Sequence, residues 1–195
     1  KKVSVKKYIS ENQKDVRFAA LDANGALNMP NLKALLAKNK TNYIVLETAN
    51  TSMIKATITA LLSVQPLLNV QLVITEPNET LDTDEIEFEN LIKLKLLYPS
   101  MTRENDSPEA LIFQKNFKLK NKITPNSFAT RGFDLTFDTL MRLSQSNSFS
   151  ESASTQVTEQ VESKFEYFPN ETGGYVNKGL YILYYDDDLT VKVAK

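Results

Sequence analysis

An α/β fold, with an open, mainly parallel sheet carrying helices on both faces and a C-terminal antiparallel hairpin, is what this sequence predicts. Three observations lead there. Between residues 16 and 97 short β-rich runs alternate with helically spaced segments, the pattern of successive strand and helix units on a parallel sheet. Two of those runs are nearly all apolar, as strands covered on both faces are. After a small, polar stretch at residues 144–156, the chain ends in aromatic and β-branched runs around three consecutive aspartates, which reads as a hairpin.

The elements follow in order. Strands are expected at residues 16–21, 43–46, 70–74 and 94–97. Pro30 opens a helix with Leu32, Leu35 and Leu36, and Asn50 or Thr51 opens one with Met53, Ile54, Ile58, Leu61 and Leu62; both show spacing near 3.6. Asp82 with Glu85 three residues on reads as a capping box before Ile86, Phe88 and Leu91. Ser107 and Pro108 read as N-cap and first helical residue, with Leu111, Ile112 and Phe117 on the apolar side, and that helix stops before Pro125. A helix over about residues 128–143 groups Phe133, Phe137, Leu140 and Met141 on one stripe, with Asp138 and Arg142 outside it. The resulting division is an α/β lobe at 1–125, a return helix at 126–146, a flexible linker at 147–160 and a hairpin segment at 161–195 packing on the lobe.

Composition removes whole classes of chemistry. With no Cys, His or Trp among 195 residues, there is no thiolate nucleophile, imidazole base or usual zinc ligand. No serine stands in a nucleophile motif, and no glycine-rich phosphate loop occurs, so no catalytic residue, metal ligand or cofactor is assigned. Asp186, Asp187 and Asp188 fit a turn better than a calcium site, because three consecutive carboxylates do not readily converge. A net charge of -1 gives no field for nucleic acid. No apolar run approaches the roughly 18 residues of a membrane span. The opening on Lys1 without a methionine reads as a fragment.

Residues 31–38 ahead of 41–46 form a helix ending in a basic, polar turn before a strand, and residues 47–53 a loop into the next helix. Residues 74–78, 97–100, 127–134 and 173–191 continue the series. In that order these segments resemble the second lobe of type I periplasmic binding proteins, with the segment that returns to the first lobe. More narrowly, Arg131, Gly132, Phe133 and Asp134 with the ending at 177–193 are similar to the receptor-like region attached to LysM, peptidoglycan-binding modules in bacterial envelope proteins. The likeness covers nearly the whole chain, and the order carries it, since each motif is made of common residues. It implies a periplasmic or cell-envelope location and, as partner, a small polar ligand or peptidoglycan fragment. One departure matters: the first strands of the first lobe, the opposing wall of the cleft, are not in this chain, so ligand identity does not carry over.

In open α/β sheets ligands bind outside the carboxyl ends of the strands, which selects Asn24, Thr48, Asn50, Thr51, Glu76 and Tyr98 as candidate ligand-binding residues. Asn50 and Thr51 can offer helix-start N–H groups to a carboxylate, or simply cap the helix. Glu76 can meet an ammonium, as the resemblance implies, or be a solvated loop charge. Two functions stay open: a non-catalytic domain that captures a small polar or peptide-like ligand, and a structural or interaction domain of a peptidoglycan-associated protein that has lost the ligand. The second predicts an apolar or filled cleft and admits a homo-oligomer.

Overall fold

A computed structural model describes residues 5–12, 15–22, 26–75 and 86–194, with side chains from residue 7 onward. The chain divides into two compact units, Lys1–Pro99 with Leu183–Lys192, and Ser100–Ile182 with Val193–Lys195.

The first unit begins with α1 (Val5–Asn12), a surface helix with a Lys7–Glu11 pair that the sequence reading did not anticipate. Next come α2 (Met29–Leu35), β1 (Asn42–Leu46), α3 (Thr51–Val64), β2 (Val70–Ile74), α4 (Phe88–Lys93) and β3 (Leu97–Ser100). The N-terminus of α2 is capped by the Asn28 side chain, which accepts the Asn31 N–H. Asn42 fastens the entry to β1: its Oδ1 accepts the Ala37 N–H at 2.8 Å while its Nδ2 donates to Ala37 O at 2.9 Å. β1 and β2 are parallel, with Ile44 opposite Leu72 and Leu46 opposite Ile74, and β2 and β3 are parallel as well. These residues join Ile54, Ile58 and Leu61 of α3 and Leu91 of α4 in one apolar core.

Of the expected strands, 70–74 matches β2 and 43–46 matches β1 with one residue added. Residues 16–21 form no strand; Leu21 makes only an isolated bridge to Leu27. Local bonds use the backbone there: Ala20 N–H donates to the Asn31 side chain, and Ala20 O accepts from Asn28 N. The fourth strand starts three residues late. Leu94 ends α4, and Lys95, at φ 44, turns the chain before β3. The sheet is also less enclosed than expected. Burial alternates along β1, leaving Tyr43 and Val45 exposed, so helices on both faces are not found at this strand. The capping box at Asp82 and Glu85 lies outside the described residues; α4 begins at Phe88, directly after a buried Ile86.

The second unit holds α5 (Pro108–Asn121), α6 (Ser127–Gln145) and α7 (Phe149–Ala153), then β4 (Thr158–Glu159), β5 (Lys164–Phe165), β6 (Tyr167–Pro169) and β7 (Tyr175–Asn177). Ser107 caps α5 by accepting the Ala110 N–H, with Pro108 in the first turn as read from sequence. Lys122, at φ 62, ends it before Pro125. β4 pairs with β5 and β6 with β7, both antiparallel. β8 (Tyr181–Tyr185) and β9 (Val191–Val193) complete a five-stranded sheet of order β1-β2-β3-β8-β9. Asp186 N–H donates to Thr190 O and Ala194 N–H to Ile182 O, which closes the expected antiparallel hairpin. The three aspartates make its turn: Lys192 holds the carboxylates of Asp186 and Asp188, and these bonds, with one from Thr190, lower the Asp188 carboxyl to about 2.

Two boundaries differ from the sequence reading. The division falls after Pro99 rather than at 125, because Phe113 of α5 packs on Phe133 of α6 at 4.4 Å between ring centroids and Asn105 donates to Val161 O. Residues 147–160 are not a bare linker: they include α7, where Ser152 and Ala153 are buried. Among the described residues no helix is long and apolar enough to cross a membrane.

Asn177 organises the segment before β8, accepting from Glu166 N and Gly179 N and donating to Lys164 O. A Cβ on Gly179 would stand 2.4 Å from the Lys164 carbonyl oxygen, so backbone must move to admit one. Gly179→Ala is expected to destabilise by roughly 1–3 kcal/mol in urea melts, whereas Gly132→Ala, which meets nothing within 4 Å, is expected to be harmless.

Candidate functional site

The strand-end residues are engaged by their own backbone. The Asn50 side chain accepts the Met53 N–H at 3.0 Å and caps α3, and the Thr48 hydroxyl accepts the Asn50 N–H at 3.1 Å. Such bonds satisfy donors that a helix start leaves open. Thr51 is the first residue of α3, so these three residues do cluster. Tyr98 lies apart from them on β3, its ring 5.6 Å from that of Tyr185 against the apolar core. Asn24 and Glu76 lie outside the described residues.

The most concentrated polar chemistry lies instead along α6. Thr130, Asp134, Asp138 and Arg142 recur every four residues and are all buried, so they form a single stripe along the helix. The Asp134 carboxylate accepts three successive backbone N–H groups, from Val161 at 3.0 Å, Glu162 at 3.0 Å and Ser163 at 2.9 Å. Converging N–H groups make an anion site, and here the anion belongs to the chain. Arg142 uses every donor it has: Nε to Asp138 at 2.8 Å, Nη1 to Ser152 O and Ala153 O, and Nη2 to Gln156 O and the Thr158 hydroxyl. Thr158 in turn donates to Asp138. The Arg142 guanidinium also covers the Tyr167 ring at 5.0 Å. Burial, and then the Asp138 charge, push the Tyr167 hydroxyl up. With its donors and acceptors matched internally, this network ties α7 and the β4–β5 connection to α6.

That arrangement reverses the expected orientation of α6. Asp138 and Arg142, expected outside, are enclosed; Phe133, Phe137, Leu140 and Met141, expected inside, are exposed, Leu140 at 60%. α5 behaves similarly. Of its 14 residues only Ala110 is buried, and Leu111 and Ile112, expected on the packed side, are exposed.

Between the two helices runs a cleft of about 930 Å³. Its aromatic lining is Phe113 and Phe117 from α5 with Phe133 and Phe137 from α6, and neighbouring rings lie 4.4–5.9 Å apart. Arg103, Asn105, Glu159 and Gln160 line it with polar groups, and Lys120 of α5 reaches it too. Arg103 pairs with Glu159 at 3.0 Å and lies 5.0 Å over the Tyr181 ring, while its Nε is buried without a partner among the described residues. Among those residues no group of three or more Asp or Glu gathers as a metal site. The cleft therefore offers apolar and aromatic contact flanked by charge.

Tyr181 supports this end of the unit. Its hydroxyl is buried without a hydrogen bond among the described residues, and burial foremost, then the charges of Glu159 and Asp134, raise it to about 12. An unfolded tyrosine ionises near 10, so this contribution to stability is complete below about pH 10 and is lost as pH rises toward about 12. Tyr181→Phe removes an unsatisfied donor and keeps the ring, so it is expected to stabilise by about 1 kcal/mol and to remove the late step in a tyrosinate titration. A loss of stability on that substitution would show that the hydroxyl is bonded.

The cleft was not foreseen, because the sequence reading placed its aromatic residues in the core. The signal was present in the Thr130, Asp134, Asp138 and Arg142 spacing, but helical period alone does not say which of two stripes faces in. Compared with family models, with curated proteins and with solved structures, the chain shows no match.

Proposed function

We propose that this chain is a non-catalytic binding and interaction domain, a receptor-like α/β domain of the type I periplasmic binding protein kind, and that the α5–α6 cleft is its recognition surface. The observation that carries the reading is the outward aromatic face of α5 and α6. An isolated helix of 14 residues is marginal in water, and most helical stability in proteins comes from a packed apolar face. Here the buried stripe of α6 is polar, and its apolar side is left to solvent beside an equally open α5. Exposed apolar surface on this scale marks an interaction site. Such a surface fits the interaction-domain reading better than polar capture at strand ends, where Thr48 and Asn50 already serve the backbone. The resemblance places such a domain in a bacterial cell envelope.

The test is binding of an apolar fluorescent dye to the native chain, with light scattering in parallel. Dye binding is expected, reduced several-fold by Phe137→Ser with Leu140→Ser and with little change in melting. Native protein that binds no dye would overturn the reading. So would stabilisation by amino acids or muropeptides that survives the same substitutions, which would return function to the strand ends.

A further inference from the structure

Resting on that reading, we infer that the occupant of the α5–α6 cleft is an amphipathic helical segment of a protein partner with acidic residues along its flank. Charge is the first argument. The chain as a whole is nearly balanced, with 23 basic and 24 acidic residues. Residues 110–133, however, carry Lys115, Lys118, Lys120, Lys122 and Arg131 with no Asp or Glu. All five are exposed, and none forms an ion pair among the described residues. Lys118 and Lys120 also offset the negative C-terminal end of α5; Lys115 and Arg131 have no such role. Glu159, the acidic group lining the cleft at its other end, is neutralised by Arg103.

Shape is the second argument. The floor is recessed: Phe113 and Phe117 are half-buried between the two helices. A groove between two helices, floored with apolar side chains spaced four apart on each, accepts the i, i+4, i+7 face of a third helix. A flat lipid surface does not reach such a floor. Basic groups beside the groove then favour carboxylates on the incoming helix, which sets specificity and association rate more than affinity.

Two alanine-based helical peptides test this on the full chain. Both carry leucine at i, i+4 and i+7; one has glutamate and the other lysine on the flanking positions. By fluorescence anisotropy at low salt, the glutamate peptide is expected to bind about tenfold tighter, with the preference shrinking as salt is added. Joint replacement of Lys115, Lys118, Lys120 and Lys122 by Gln removes the preference, and Phe137→Ser weakens both peptides. Equal binding of the two peptides, still lost on Phe137→Ser, would overturn the acidic partner while leaving the recognition surface intact. Absence of peptide binding together with absence of dye binding would overturn both. Binding to phosphatidylserine vesicles in place of either peptide would overturn the protein partner in favour of a lipid surface.

Discussion

Asp134→Ala is expected to cost about 3–5 kcal/mol and to unfold the second unit well before the first in a urea titration. The carboxylate is fully buried and is the hydrogen-bond partner of three consecutive N–H groups, those of Val161, Glu162 and Ser163. Each buried donor left unmatched costs about 1–3 kcal/mol, and bonds to a charged acceptor lie at the strong end. Asp134→Asn retains one carbonyl oxygen but turns an NH₂ toward N–H groups, so it is expected to recover little. A loss below about 1 kcal/mol for Asp134→Ala would mean that the connection between β4 and β5 is held by other contacts.

Arg142→Ala is the second large effect, again expected at about 3–5 kcal/mol. Removing the guanidinium strands the buried Asp138 carboxylate and withdraws the donors that hold Ser152 O, Ala153 O and Gln156 O. Arg142→Lys keeps the charge but cannot reproduce five donors in a planar fork, so it is expected to remain clearly destabilised. Replacing Asp138 and Arg142 together by Leu and Met removes the unpaired charge, yet it leaves the carbonyl groups of α7 unmatched. The double variant is expected to regain only part of the loss. Full recovery would show that the carbonyl bonds add nothing to the ion pair.

These two residues also show where the sequence was legible and where it was not. Helix starts were readable, since Asn50 and Ser107 act as the caps their position suggested. β2 was readable from its apolar run, and the aspartates at 186–188 from their place between strands. Local chemistry decides such features. The strand expected at 16–21 failed because Asn28 and Asn31 compete for its backbone, a tertiary effect that β-propensity does not register. The orientation of α6 failed for a sharper reason. Both of its stripes are regular, and the usual rule buries the apolar one; only the partners at Val161, Ser152 and Thr158, up to 29 residues away in sequence, reverse it. Places where a consistent local pattern is overruled are where function is expected.

The orientation of α6 is the central claim, and the chain's lack of cysteine allows it to be tested directly. Single substitutions Leu140→Cys and Thr130→Cys put a thiol on the outward and inward stripes, at positions 60% and 3% exposed. On reaction with a maleimide, Leu140→Cys is expected to label at nearly the rate of the urea-unfolded chain. Thr130→Cys is expected to label about tenfold slower or less, opening only as the unit unfolds. Rapid labelling at position 130 with protection at position 140, in folded protein, would contradict the account.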